Sequence, residues 1–206
     1  MSDFCKDLLA YILDSRDVAL TVSQTPADAK NDTLREALSP ILTGVDRARA
    51  TGVALWIIRH WGGIRAGNEQ CIRNWSNTLD DYDLNKVDSF VREQLNTRIS
   101  SWSKLLSFAD QRKYAIFDSR TSFSLNYALK KVGDRRRFHM PGTRNGGLNR
   151  ALQKSRDGTR HKRLGYSEYL QLLQCFVAHG CAPTILRAER ILFANAPSLA
   201  RRASRR

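Results

Sequence analysis

Ser100-Ser101-Trp102-Ser103-Lys104-Leu105-Leu106-Ser107-Phe108, followed by Lys113-Tyr114-Ala115-Ile116-Phe117-Asp118-Ser119-Arg120, is the stretch that decides the reading of this chain. The first block has the spacing of a helix over Ile99 to Ala109. In the second, Tyr114 to Phe117 forms a short apolar run, read either as an extended segment or as a connecting loop. Asp118 then stands where a longer helix, Asp118 to Val132, begins, the place where a carboxylate accepts bonds from free backbone N–H groups.

Working outward, the apolar residues keep recurring at spacings of three and four, the helical period. Phe4, Leu8, Leu9, Ile12 and Leu13 share one face. Thr33 to Leu42 reads as a second helix with Pro40 near its end, and Val45 to Trp61 as a third. The third stops at Gly62-Gly63, a C-terminal signal. Glu69 to Leu79 and Lys86 to Leu95 read as two more, the latter with Asp83 or Asn85 as cap. Ser167 to His179 and Pro183 to Ala194 close the series, Pro183 suiting a first helical turn. No repeating alternation that would build a sheet is present. The expected fold class is all-α, one helical bundle over residues 1–200.

Two segments stand outside that core. Residues 133–164 carry Arg135-Arg136-Arg137, Pro141-Gly142, Gly146-Gly147, Lys154, Arg156, Arg160, His161, Lys162 and Arg163, the composition of a basic surface loop between the last helices. Residues 201–206 form a basic tail. Such runs are usually solvated charge. Here they add to a large excess: 34 Lys and Arg against 20 Asp and Glu, a net charge of +14 over 206 residues. A field of that sign collects polyanions. Nucleic acid is the expected partner. An anionic lipid surface is the rival, but no apolar run reaches the roughly twenty residues of a bilayer span. The opening Met1-Ser2-Asp3-Phe4-Cys5 lacks the pattern of a signal peptide.

Cys5, Cys71, Cys175 and Cys181 form no Cys-x-x-Cys pair, and the six-residue step from Cys175 to Cys181 is too wide for a zinc knuckle. They read as buried or half-buried thiols of a cytoplasmic protein. No cofactor and no metal site is expected.

The chemistry-bearing pair is Lys104 and Asp118, fourteen residues apart. A lysine flanked by Trp102, Leu105, Leu106 and Phe108 is a candidate for desolvation, which favours the free amine. Taken singly, each residue has an ordinary alternative: Lys104 as a lysine whose stem covers apolar groups, Asp118 as a helix cap with Arg120 as ion-pair partner.

The pattern Ser-x-x-Ser-Lys-x-Leu-x-Phe, then Tyr-x-Ile-x-Asp-Ser-Arg, resembles the 8-oxoguanine-glycosylase-like branch of the helix-hairpin-helix DNA glycosylases. Trp61-Gly62-Gly63-Ile64-Arg65, Tyr166 to Leu170, Pro183, and Ala188 to Phe193 are similar to other parts of that branch, so the resemblance spans about Val53 to Phe193. It departs from the family before the lysine, where Leu95-Asn96-Thr97-Arg98-Ile99-Ser100-Ser101 replaces the glycine-rich hairpin, and in a shorter lysine-to-aspartate spacing. The resemblance implies a glycosylase that flips a base out of double-stranded DNA, with Lys104 as nucleophile and Asp118 as essential acid. Size, charge and central motif also fit the small prokaryotic members that remove glucosylated hydroxymethylcytosine from phage DNA; a repair enzyme for oxidised guanine is the alternative substrate reading. Phosphate contacts then fall to Arg98, Arg120, Arg135, Arg136 and Arg137, and a wedge or base-pocket wall to Trp102 and Trp61, with Trp56 and Trp75 as further candidates. For every tryptophan core packing is the competing role. A monomer is expected. The rival classes are a DNA-binding module without catalysis and an RNA-binding protein.

Overall fold

A computed structural model describes residues 2–13, 26–64, 98–142, 145–154 and 162–204. The helices expected at 69–79 and 86–95, with their caps, and Trp75 lie outside the described residues. The described chain is all-α in class: eight α-helices, a π-helical turn and two three-residue strands. It divides into two compact units, one of residues 1–23 with 117–206, the other of residues 24–116.

In the second unit, α2 (Pro26–Leu42) packs against both α3 (Arg47–Trp56) and α4 (Ile99–Ala109). Asp46 caps α3 by accepting from Arg49 N–H at 3.0 Å. The single helix expected from Val45 to Trp61 changes character at Ile57. From there to Trp61 the turn is π-helical, closed by Gly62 N–H on the Ile57 carbonyl at 2.7 Å. Widening the turn puts both Ile57 and Ile58 in the core. Gly63 then adopts φ +65°, the left-handed exit that glycine allows. Ser39 Oγ donates to the Ala109 carbonyl at 2.6 Å and so joins α2 to the end of α4.

The first unit is built on α1 (Ser2–Leu13), α5 (Ser119–Lys131), α7 (Tyr166–Ala178) and α8 (Ile185–Ser204). Cys5, Leu8 and Ile12 are buried residues of one face of α1, three and then four residues apart as the helical period requires. The thiol expectation is overturned at Cys5 and Cys175, which form a disulfide with Cα atoms 6.7 Å apart. Packing α1 on α7 juxtaposes two cysteines that are 170 residues apart in sequence. Cys181 alone of the described cysteines is a thiol.

The described part of the basic segment holds regular structure where a surface loop was expected. Strand β1 (Arg136–Phe138), helix α6 (Gly146–Lys154) and strand β2 (Lys162–Leu164) form a parallel two-stranded ladder with its crossover helix. The strands are two similar triplets, Arg-Arg-Phe and Lys-Arg-Leu, each two cations and one apolar residue; Phe138 and Leu164 are buried. At the C-terminus, α8 runs on through Pro197 to Ser204, so residues 201–204 are helical where a tail was expected. Ala188, Leu192, Ala196, Leu199 and Ala200 supply a continuous buried stripe that outweighs the one backbone donor lost at the proline.

Candidate functional site

Tyr114, Ala115, Ile116 and Phe117 are all buried and form no strand. They are the connecting loop that delivers Asp118. The residue has extended backbone, φ −128° and ψ −173°, and α5 starts immediately after it. Its Oδ1 accepts from Arg120 N–H at 2.8 Å and Thr121 N–H at 3.0 Å. Thr121 Oγ1 returns the contact by accepting from Asp118 N–H at 3.0 Å. This reciprocal capping box uses Oδ1; Oδ2 makes no hydrogen bond among the described residues. The carboxylate is half-buried.

Behind the cap lies an aromatic wall. Phe117 meets Tyr169 at 4.9 Å and Tyr166 at 6.3 Å between ring centres, and Phe138 stands 6.4 Å from Tyr169. Tyr169 is fully buried, and burial holds its phenol well above the ordinary value; the nearby charges of Glu189 and Asp118 push the same way, while a hydrogen bond with Thr121 opposes them. Glu189, on α8, is only 4% exposed. Sequence reasoning assigned no role to Thr121, Tyr169 or Glu189. Periodicity marks Tyr169 as core but does not reveal that a carboxylate from another helix faces the same phenol.

Arg120 does not pair with Asp118 through its side chain. Its guanidinium stacks on Phe193 at 4.5 Å, a cation–π contact on the half-exposed side of α5 and α8. Arg136 is engaged by Asp134, with Nη2 at 2.7 Å and Nε at 3.0 Å from Oδ2, and its charge also lies over the Phe4 ring at 5.4 Å. Arg136 correspondingly holds the Asp134 carboxyl below its ordinary value. Arg137 donates through Nη1 to the backbone carbonyls of Asp134 and Arg136. Arg135 is exposed.

Lys104, the nucleophile expected from the resemblance, belongs to the second unit. It is 8% exposed, and Nζ donates to the Ser100 carbonyl at 2.9 Å. Its stem lies against Gly62, where an added Cβ would fall 2.9 Å from Lys104 Cδ and 2.9 Å from the Ile58 carbonyl oxygen. Gly62 is thus a close-approach glycine. Trp102 is 6% exposed and packs in the core of this unit. Trp61 is half-buried; its Nε1 donates to Asn31 Oδ1 at 3.1 Å, and its ring meets Phe108 edge-on at 4.9 Å. For both tryptophans the packing role weighed against a wedge describes these contacts. Trp56 is 41% exposed. Arg98 directly precedes α4, and its carbonyl accepts from Ser101 and Trp102 N–H at 2.9 and 3.2 Å.

Comparison with protein-family models, with curated proteins and with solved structures gives no match to this chain. Among the described residues no cluster of three His, Cys, Asp or Glu side chains suits a metal ion, and no helix is long and apolar enough to cross a membrane.

Proposed function

We propose that this protein is a DNA glycosylase, which flips a modified base out of the duplex and breaks its N-glycosidic bond to leave an abasic site. The supporting observation is Asp118. Its carboxylate is fixed through Oδ1 at the head of α5, keeps Oδ2 outside the cap, and is near enough to the buried Tyr169 for its charge to act on that phenol. A carboxylate so placed stabilises the cationic sugar that develops as the bond breaks, or orients the attacking water. The net charge of +14 supports DNA as the substrate polymer.

Water is the preferred nucleophile. The Lys104 amine is buried and donates to a backbone carbonyl, which favours excision alone over a Schiff-base route. The resemblance to the small prokaryotic enzymes supports glucosylated hydroxymethylcytosine of phage DNA as the base, with oxidised guanine as the alternative. In this reading the protein acts as a monomer on double-stranded DNA, without a cofactor.

The test incubates the purified protein with cellular DNA and with hypermodified phage DNA, and identifies released bases by mass spectrometry. A released base that is lost with Asp118→Asn supports the proposal; intact DNA throughout rejects it. Borohydride trapping separates the routes, since an adduct that vanishes in Lys104→Gln would restore the lysine as nucleophile. A second reading, a DNA-binding module without catalysis, is favoured by the complete structural account that capping already provides for Asp118 Oδ1. It expects salt-dependent DNA binding and no abasic sites.

A further inference from the structure

The two strands of the first unit pair in parallel, with Arg136 opposite Lys162, Arg137 opposite Arg163 and Phe138 opposite Leu164. The apolar pair is buried and anchors the ladder. Asn126 of α5 fixes its position: Oδ1 accepts from Phe138 N–H at 2.7 Å, and Nδ2 donates to the Phe138 carbonyl at 3.0 Å. His139 N–H continues the ladder onto the Leu164 carbonyl at 3.2 Å. The helix that carries this two-bond attachment is the one Asp118 caps.

The other two pairs set cation against cation across a strand spacing of about 4.8 Å. Like charges directly opposite in a ladder destabilise it. Asp134 answers one of them, binding Arg136. Arg137 turns its Nη1 back onto backbone carbonyls. Lys162 and Arg163 are exposed and make no side-chain hydrogen bond or ion pair among the described residues. The ladder thus gathers a charge excess that, beyond the Asp134–Arg136 pair, meets no carboxylate among the described residues. A row of phosphates is the partner that answers it, because each neutralised phosphate also releases counterions.

We propose that the β1–β2 ladder is a preformed platform for the phosphate backbone of nucleic acid, with Lys162 and Arg163 as its contacting cations. The proposal rests on the nucleic-acid part of the reading above and is independent of base excision. Where a basic surface loop was expected, the two strands present a folded surface joined to α5 through Asn126.

The test measures binding of the full chain to a fluorescein-labelled DNA duplex by anisotropy over a salt series, with thermal melts of the free protein in the same buffers. In Lys162→Gln with Arg163→Gln, the slope of log affinity against log salt should fall by about two, roughly one for each lost phosphate contact. Lys162→Glu turns the Arg136 pair from repulsive to attractive. Its affinity should fall while its melting temperature at low salt holds or rises, a gain that added salt removes. A salt slope unchanged in the Gln variant overturns the proposal, as does a Lys162→Glu protein that melts lower at low salt. So does retention of full DNA affinity in the Gln variant alongside loss of binding to phosphatidylserine vesicles, which would assign the surface to membrane. Mass spectrometry of released bases is read separately, so failure of the glycosylase reading leaves this outcome unaffected.

Discussion

The guanidinium of Arg120 lies 4.5 Å from the ring centre of Phe193, so the residue two places after the Asp118 cap is fastened to the surface of α8. Phe193 is 38% exposed, which makes this contact partly wet. In a double-mutant cycle of Arg120→Ala and Phe193→Ala, denaturant unfolding should give a coupling energy of roughly 0.5–1 kcal/mol. A coupling of zero would mean that the two side chains do not meet in solution.

Asp118 separates structure from chemistry. Asparagine caps a helix about as well as aspartate, so Asp118→Asn should unfold at nearly the wild-type denaturant concentration, whereas Asp118→Ala should lose about 1 kcal/mol. Base release should disappear in both. Retained excision by the Asn protein would remove Asp118 from the mechanism, whatever its effect on stability.

The Cys5–Cys175 bond closes a sequence separation of 170 residues, and cross-links over long loops restrict the unfolded chain most. Cys5→Ser, or dithiothreitol in the buffer, should lower unfolding stability by about 2–5 kcal/mol. Cys181→Ser should leave the effect of the reductant unchanged. A wild-type melt insensitive to reductant would show that the bond does not form in solution. The result also bears on compartment, because disulfides persist in oxidising surroundings and the cytoplasm keeps thiols reduced.

Tyr169 predicts an alkaline limb. Its folded phenol titrates well above its unfolded value of 10.0, first through burial and then through the charges of Glu189 and Asp118. The native state therefore holds its proton where the unfolded state has lost it. This contribution to stability is complete below pH 10 and is lost as the pH rises above that value toward the folded pKa. Absorbance at 295 nm should show fewer than six tyrosines titrating in the native protein near pH 10, and Tyr169→Phe should leave that native amplitude unchanged. A reduced native amplitude in Tyr169→Phe would place the phenol in contact with solvent.

The amino-acid order alone determined the helical class and the limits of α4, α5 and α7 to within a residue. Ile99 to Ala109 was legible residue for residue because its apolar spacing is helical and polar residues follow it. Asp118 was legible as a cap because a short acceptor side chain stood between an apolar run and a helical one. The +14 charge was also plain, and with it the class of partner to test. Tertiary structure decided the rest. Only packing brought Cys5 to Cys175, set Glu189 beside the Tyr169 phenol, and laid Arg120 on Phe193. Only packing converted two cationic triplets into a ladder, because three residues carry too little periodicity to mark a strand until Phe138 and Leu164 find a shared interior. Local order depends on neighbours within a helical turn. These contacts depend on residues far apart in sequence, whose proximity exists only once the chain has folded.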